Sequence, residues 1–252
     1  MFTTGEQTNG KKVDDVPFVS TAQMIEVDRA MIEDFKIELV QMMENAGRNL
    51  AHLARRRFLG GEPVGKVVAV LAGTGANGGG GLVAARHLHN WGAHVQVFTT
   101  KPAEQFTPVP AHQLEILRRM QIPVEHAEAV TQFSEADLIV DALIGYSLKG
   151  APTGMAADLI RWANALDAPV LALDIPTGID ASTGAVFDPA IRAAATMTLA
   201  LPKTGLRAPS AQDRVGELYL ADIGAPRELF AAPTLRLSVG VLFAHEEVIR
   251  LL

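Results

Sequence analysis

The sequence predicts an α/β protein: a Rossmann-like three-layer sandwich with a mostly parallel sheet, helices on both faces, and a helical extension at the N-terminus. Three observations predict it. From Lys66 onward, short continuous apolar runs alternate with amphipathic stretches, the pattern of strands buried on both faces and joined by crossover helices. The first of these runs stops at a cluster of six glycines between Gly73 and Gly81. A helical pattern follows at once, as in a strand-to-helix turn. No stretch between Lys66 and Ile223 has the composition of an interdomain linker, so residues 17–252 read as one domain.

The elements follow in order. Residues 1–16 are polar, with Asn9, Gly10, Lys11 and Lys12 ahead of Asp14 and Asp15, and are expected to form a loose arm. Ser20 and Gln23 have capping-box spacing and open a helix that runs to about Phe35. A second helix, 37–58, carries Leu39, Met42, Met43, Ala46 and Leu50 on one face, a stripe read as core packing. Strands are expected at 66–71, 94–99, 138–143, 170–173 and 194–200, and helices at 82–91, 111–120 and 155–166. The segment 123–126 allows a short strand, and 215–223 a further one. The tail alternates weakly through Leu235, Leu237, Val239 and Val241, and no element is assigned to it.

Composition excludes several function classes. The formal net charge is −6, unlike a protein whose affinity for nucleic acid comes from neutralising phosphates with Lys and Arg. No apolar run reaches the roughly 18 residues a membrane span requires, and the first residues lack the apolar core of a secretory signal. Cysteine is absent, which removes disulfides, thiolate zinc sites and cysteine nucleophiles. A cytoplasmic protein is expected.

In open α/β sheets, ligands bind outside the carboxyl ends of the strands. That rule selects the segments 73–81, 141–151, 174–180 and 201–207. Gly73-Thr74-Gly75-Ala76-Asn77-Gly78 fits G-x-G-x-x-G letter by letter. Backbone without side chains, followed by a helix N-terminus, suits phosphate. The dinucleotide fingerprint also wants an acidic residue at the end of the second strand. Here that strand runs into Thr99-Thr100-Lys101, which speaks against a dehydrogenase. Asp141 ends one strand and Asp174 follows another, with Pro176, Thr177 and Asp180 close behind. Asp180 reads as an Asx turn. Asn77, Asp141 and Thr177 are oxygen ligands suited to a hard cation. Lys149 and Lys203 are each open between a ligand-facing role and a solvated one.

These segments together resemble the YjeF N-terminal domain family. Met43-Glu44-Asn45-Ala46-Gly47 looks like its N-terminal helix motif, and residues 73–88 like its G-x-G-N-N-G-G-D-G-L-V-A-A-R-H-L signature. Residues 137–145 resemble D-x-x-x-D-A-L-F-G, and 173–180 resemble V-D-I-P-S-G-L-D. Leu201-Pro202-Lys203-Thr204-Gly205-Leu206 and 221–226 fit in the same order. The resemblance implies NAD(P)H-hydrate epimerase activity, which interconverts the R and S epimers of hydrated NADH or NADPH as metabolite repair. It implies a potassium ion on Asn77, Asp141 and Thr177. Substrate contacts are expected from Ala76, Asn77, Gly78, Gly79 and Gly80, from Gly145, Tyr146, Ser147, Leu148, Lys149, Gly150 and Ala151, and from Asp174. Asp174 and Lys149 are the expected acid–base residues. A homodimer is expected, acting beside a separate dehydratase. The chain carries Ala76 and Gly80 where the signature has asparagine and aspartate. The alternative expectation is therefore a nucleotide-binding or scaffolding module without turnover.

Overall fold

A computed structural model describes residues 16–251; the expected arm, apart from Val16, lies outside the described residues. The chain runs through α1 (Thr21–Glu33), α2 (Leu39–Arg57), β1 (Val67–Ala72), α3 (Ala76–Asn90), β2 (His94–Thr99), α4 (Pro108–Arg119), β3 (Val124–His126), β4 (Leu138–Ala142), α5 (Gly154–Ala165), β5 (Val170–Leu173), β6 (Ala195–Leu199), α6 (Gln212–Val215), β7 (Glu217–Ala221), α7 (Arg227–Ala231) and β8 (Val248–Arg250). The strands form one eight-stranded sheet in the order β3-β2-β1-β4-β5-β6-β7-β8. All neighbours are parallel except β7 and β8, which are antiparallel. The order reverses between β1 and β4, so their carboxyl ends flank a topological switch point.

Strand periodicity divides the core. Val68, Val70 and Ala72 face the layer of α2, α3 and α4, whereas Ala69 and Leu71 face α5. Successive side chains of a strand point to opposite faces, so both faces of β1 need apolar residues. The expected three-layer architecture is the observed one. The N-terminal helices are built into it. Helix α2 lies against α3 in the same layer. Helix α1 packs with α7 and with Leu235, Val239 and Leu242. The weak alternation of that tail forms no strand; β8 begins only at Val248. At α1 the Ser20 hydroxyl accepts from the Gln23 N–H at 3.3 Å, and the Gln23 side chain accepts from the Ser20 N–H at 3.0 Å. The expected capping box is present.

Most element ends fall within three residues of expectation, and the start of α3 differs most. The residues read as a glycine loop up to Gly81 are largely helix: α3 begins at Ala76, with Gly75 as its N-cap, so Gly78, Gly79, Gly80 and Gly81 form its first turns. Glycine is a poor helix former, which is why the sequence pattern places the start at Leu82. Packing overrides propensity here. A Cβ on Gly81 would overlap that of Ala142 on β4, and one on Gly79 would overlap the Met43 thioether on α2.

Candidate active site

The carboxyl ends of β1, β4, β5 and β6 open into a cavity of about 450 Å³, closed from the opposite side by α1 and α2. Its walls are mainly apolar: Met24, Leu39, Met42, Met43, Leu143, Ile144, Leu173, Leu199 and Ile223 line it. The methionine stripe of α2 is core, as expected, with Met42 and Met43 buried; the same two residues also wall the cavity. Few polar groups converge on this space, the usual composition of a small-molecule site.

Asp174 and Lys203 are the most deeply set of these. Asp174 follows β5 with a φ of +70°, a left-handed conformation that is uncommon outside glycine and often found at functional sites. That turn presents the carboxyl to the cavity. Lys203 follows β6, and its ammonium donates to Asp174 Oδ1 at 2.5 Å, to the Leu199 carbonyl at 2.8 Å and to Thr198 Oγ1 at 3.3 Å. Both side chains are buried. The other carboxylate oxygen of Asp174 accepts the Tyr146 N–H at 3.1 Å. Tyr146 lies beside Lys203, its ring centroid 5.9 Å from the ammonium, and its hydroxyl donates to Asp28 of α1.

A second cluster sits beneath the loop after β4. Asp141 is completely buried, and accepts from the Thr177 N–H at 2.8 Å, the Thr177 hydroxyl at 2.7 Å and the Leu143 N–H at 3.2 Å. Burial pushes its carboxyl up to about 6, against the lowering effect of those donors. The Ile144 N–H donates to the Thr177 hydroxyl at 3.1 Å. Together these bonds tie the end of β4 to the turn after β5. Asn77 lies on the first turn of α3, and its buried side-chain nitrogen has no partner. A side chain on Gly145 would start 3.0 Å from Asp174 Oδ2 and 3.2 Å from Asn77 Oδ1, so bare backbone at Gly145 keeps that space free. The α3 N-terminus, with Gly75, Ala76 and Asn77, forms another part of the wall. No side chain caps it, and its free N–H groups suit an anion.

The structure thus gathers Ala76, Asn77, Gly80, Gly145, Tyr146, Ser147 and Asp174 around one cavity. Asp141 and Thr177 are joined directly behind it. Gly78 and Gly79 are buried in α3, outside the cavity lining. Leu148, Lys149, Gly150 and Ala151 lie beyond the lining too, with Lys149 exposed. The lysine brought to Asp174 is Lys203. Asp180 caps its own turn, accepting from the Ser182 and Thr183 N–H groups at 3.0 and 2.8 Å, the expected Asx geometry. Sequence reasoning missed Asp28 and underrated Lys203. A signal for Asp28 exists: it lies between Met24, Val27 and Met31 on the buried side of α1, where a carboxylate costs energy unless it has a task.

Fold and site define a doubly wound α/β protein with a cavity at the switch point and a buried aspartate–lysine pair on its wall. The model of the YjeF-related protein N-terminus family matches residues 39–205, and the chain belongs to that family. It is 43% identical over 222 residues to a protein of Dehalogenimonas lykanthroporepellens named NAD(P)H-hydrate epimerase, with 86% of each chain covered. It is 36% identical to the bifunctional NAD(P)H-hydrate repair enzyme Nnr of Moorella thermoacetica, covering 84% of this chain and 41% of that enzyme. The crystal structure of the yeast protein ynu0 superposes with a TM-score of 0.77 at 27% identity, over 93% of this chain and all of that one.

Proposed function

We propose that this protein is an NAD(P)H-hydrate epimerase. The observation that carries the reading is the buried Asp174–Lys203 pair inside an apolar cavity that also exposes the α3 N-terminus. Relatives at 43% and 36% identity bear names for the same repair chemistry. In hydrated NADH or NADPH the hydroxyl at C6 neighbours the ring nitrogen, a hemiaminal. Its inversion needs the C6–O bond to break and re-form on the other face. In this reading the Lys203 ammonium gives its proton to the departing hydroxyl. The lone pair of N1 then stabilises a ring cation, and the buried Asp174 carboxylate on the cavity wall would favour that charge in a site of low dielectric. Water returning to the opposite face releases a proton, which restores Lys203. Lys203 thereby takes the acid role expected of the exposed Lys149.

The test is the rate at which purified S epimer equilibrates with R. The expected result is a rate well above the spontaneous one, and a loss of about a hundredfold or more in Asp174→Ala. A rate no faster than the spontaneous one removes the reading. It would favour the alternative of a binding module without turnover, which Ala76 and Gly80 support by offering the ligand no polar side chain.

The proposal includes a potassium ion held by Asn77, Asp141 and Thr177. The donor set fits: a buried carboxyl faced only by neutral groups, a hydroxyl, and the Asn77 carboxamide oxygen, which borders the open space at Gly145. When bound, the ion would supply positive charge that neutralises Asp141. Melting in potassium chloride should exceed melting in choline chloride for the wild type and not for Asp141→Asn; equal values would remove the ion. A homodimer, a cytoplasmic location and hand-over of product to a separate dehydratase complete the proposal. The exposed Ile25, Ile32, Phe35 and Val40 of the α1–α2 region support the dimer, and sedimentation velocity decides it.

A further inference from the structure

Asp28 enters the cavity from α1, the side of the molecule opposite the strand ends. Three groups face it from other elements: the Tyr146 hydroxyl, which donates to it, and, through space, Lys203 and Asp174. Lys203 and Asp174 cancel each other's charge, so an ionised Asp28 carries the uncompensated charge of the cluster. Tyr146 stands between Asp28 and the ammonium, with its backbone N–H on Asp174. One residue of α1 therefore holds the ring that borders the acid–base pair.

We infer that Asp28 is a positioning residue of the reaction centre, holding Tyr146 against Lys203 and supplying the negative charge that favours a cationic nicotinamide ring. The inference rests on the epimerase reading. Burial raises the Asp28 carboxyl, the Tyr146 hydrogen bond and Lys203 oppose that rise, and Asp174 adds to it. The charge is then lost as pH falls through a value above the ordinary carboxylate range. Two variants separate charge from tether. Asp28→Asn keeps an acceptor for the Tyr146 hydroxyl and loses the charge. Tyr146→Phe keeps the charge and loses the hydrogen bond that stabilises it.

The experiment measures kcat and KM for hydrated NADPH against pH in the full chain, with melting temperatures alongside. Asp28→Asn should lower kcat about tenfold or more, a change of at least 1.4 kcal/mol in the barrier, with KM little changed and the acid limb gone. Tyr146→Phe should shift that limb to higher pH, and Asp28→Glu should recover part of the rate. A normal kcat and an unmoved limb in Asp28→Asn overturn the inference. So does a rate loss in Asp28→Asn and Asp28→Glu alike that only tracks a fall in melting temperature. Carboxyl-carbon NMR titration of Asp28 needs no turnover and separates this failure from failure of the epimerase reading. A raised Asp28 midpoint that rises further in Tyr146→Phe is expected; an ordinary midpoint overturns the inference even in an active enzyme.

Discussion

Asp174 and Lys203 show how one residue pair combines cost and function. Their side chains are 4% and 0% exposed, so neither charge is hydrated. Such pairs add little net stability, yet removing one partner is costly because the other charge stays buried alone. Lys203→Met should therefore destabilise the fold by about 3–5 kcal/mol in urea unfolding, despite its apolar character and similar length. A loss under about 1 kcal/mol would mean that the Asp174 carboxylate readily finds another partner. The sequence marked Asp174 by its place after a strand. It left Lys203 ambiguous, because a lysine on a loop is usually solvated, and only the turn after β6 shows otherwise.

Helix α3 carries the lesson at the scale of an element. Its glycines were legible as a ligand-facing turn, but their reason is partly steric. Gly81 sits against Ala142 with no room for a Cβ, whereas a Cβ at Gly80 meets only the movable end of Leu173, at 2.8 Å. An interior helical glycine replaced by alanine ordinarily gains about 0.5–1 kcal/mol. At Gly81 the sign should reverse, with a loss of about 1–3 kcal/mol from overpacking, while Gly80→Ala should stay within about 1 kcal/mol of wild type. Thermal unfolding of the two variants checks this, and equal effects would show that the helix and β4 separate easily. The start of α3 was misread for the same reason. Propensity is local, whereas the approach of α3 to β4 and α2 is set by residues far along the chain.

Over the whole molecule, long-range polar ties fix the helical layer to the sheet. The Arg57 guanidinium at the end of α2 donates to both carboxylate oxygens of Glu217 on β7, at 2.8 and 3.0 Å, and the Tyr219 hydroxyl donates at 2.8 Å. Arg57 first, and then Tyr219, hold the Glu217 carboxyl down from 4.5 to about 2, against burial. A folded value below the unfolded one means that the tie stabilises above about pH 4.5 and is lost as pH falls through about 2. Arg57 is partly exposed, so the contribution is at most about 1 kcal/mol. Glu217→Gln should be less stable than wild type at neutral pH, and the difference should close between about pH 4.5 and 2. A difference independent of pH would assign the effect to packing.

The sequence by itself determined the α/β class, the parallel strands, the capping box of α1 and the segments that meet at the carboxyl edge of the sheet. These follow from periodicity and short-range chemistry, which any stretch of chain carries within itself. Only the tertiary structure decided which lysine reaches Asp174, that Asp28 comes across from α1 to Tyr146, and that the methionines of α2 are at once core and cavity wall. Those pairings join residues 29 and 118 positions apart. No local pattern encodes that separation; it is fixed by the packing of helices onto a sheet whose strand order reverses at the site.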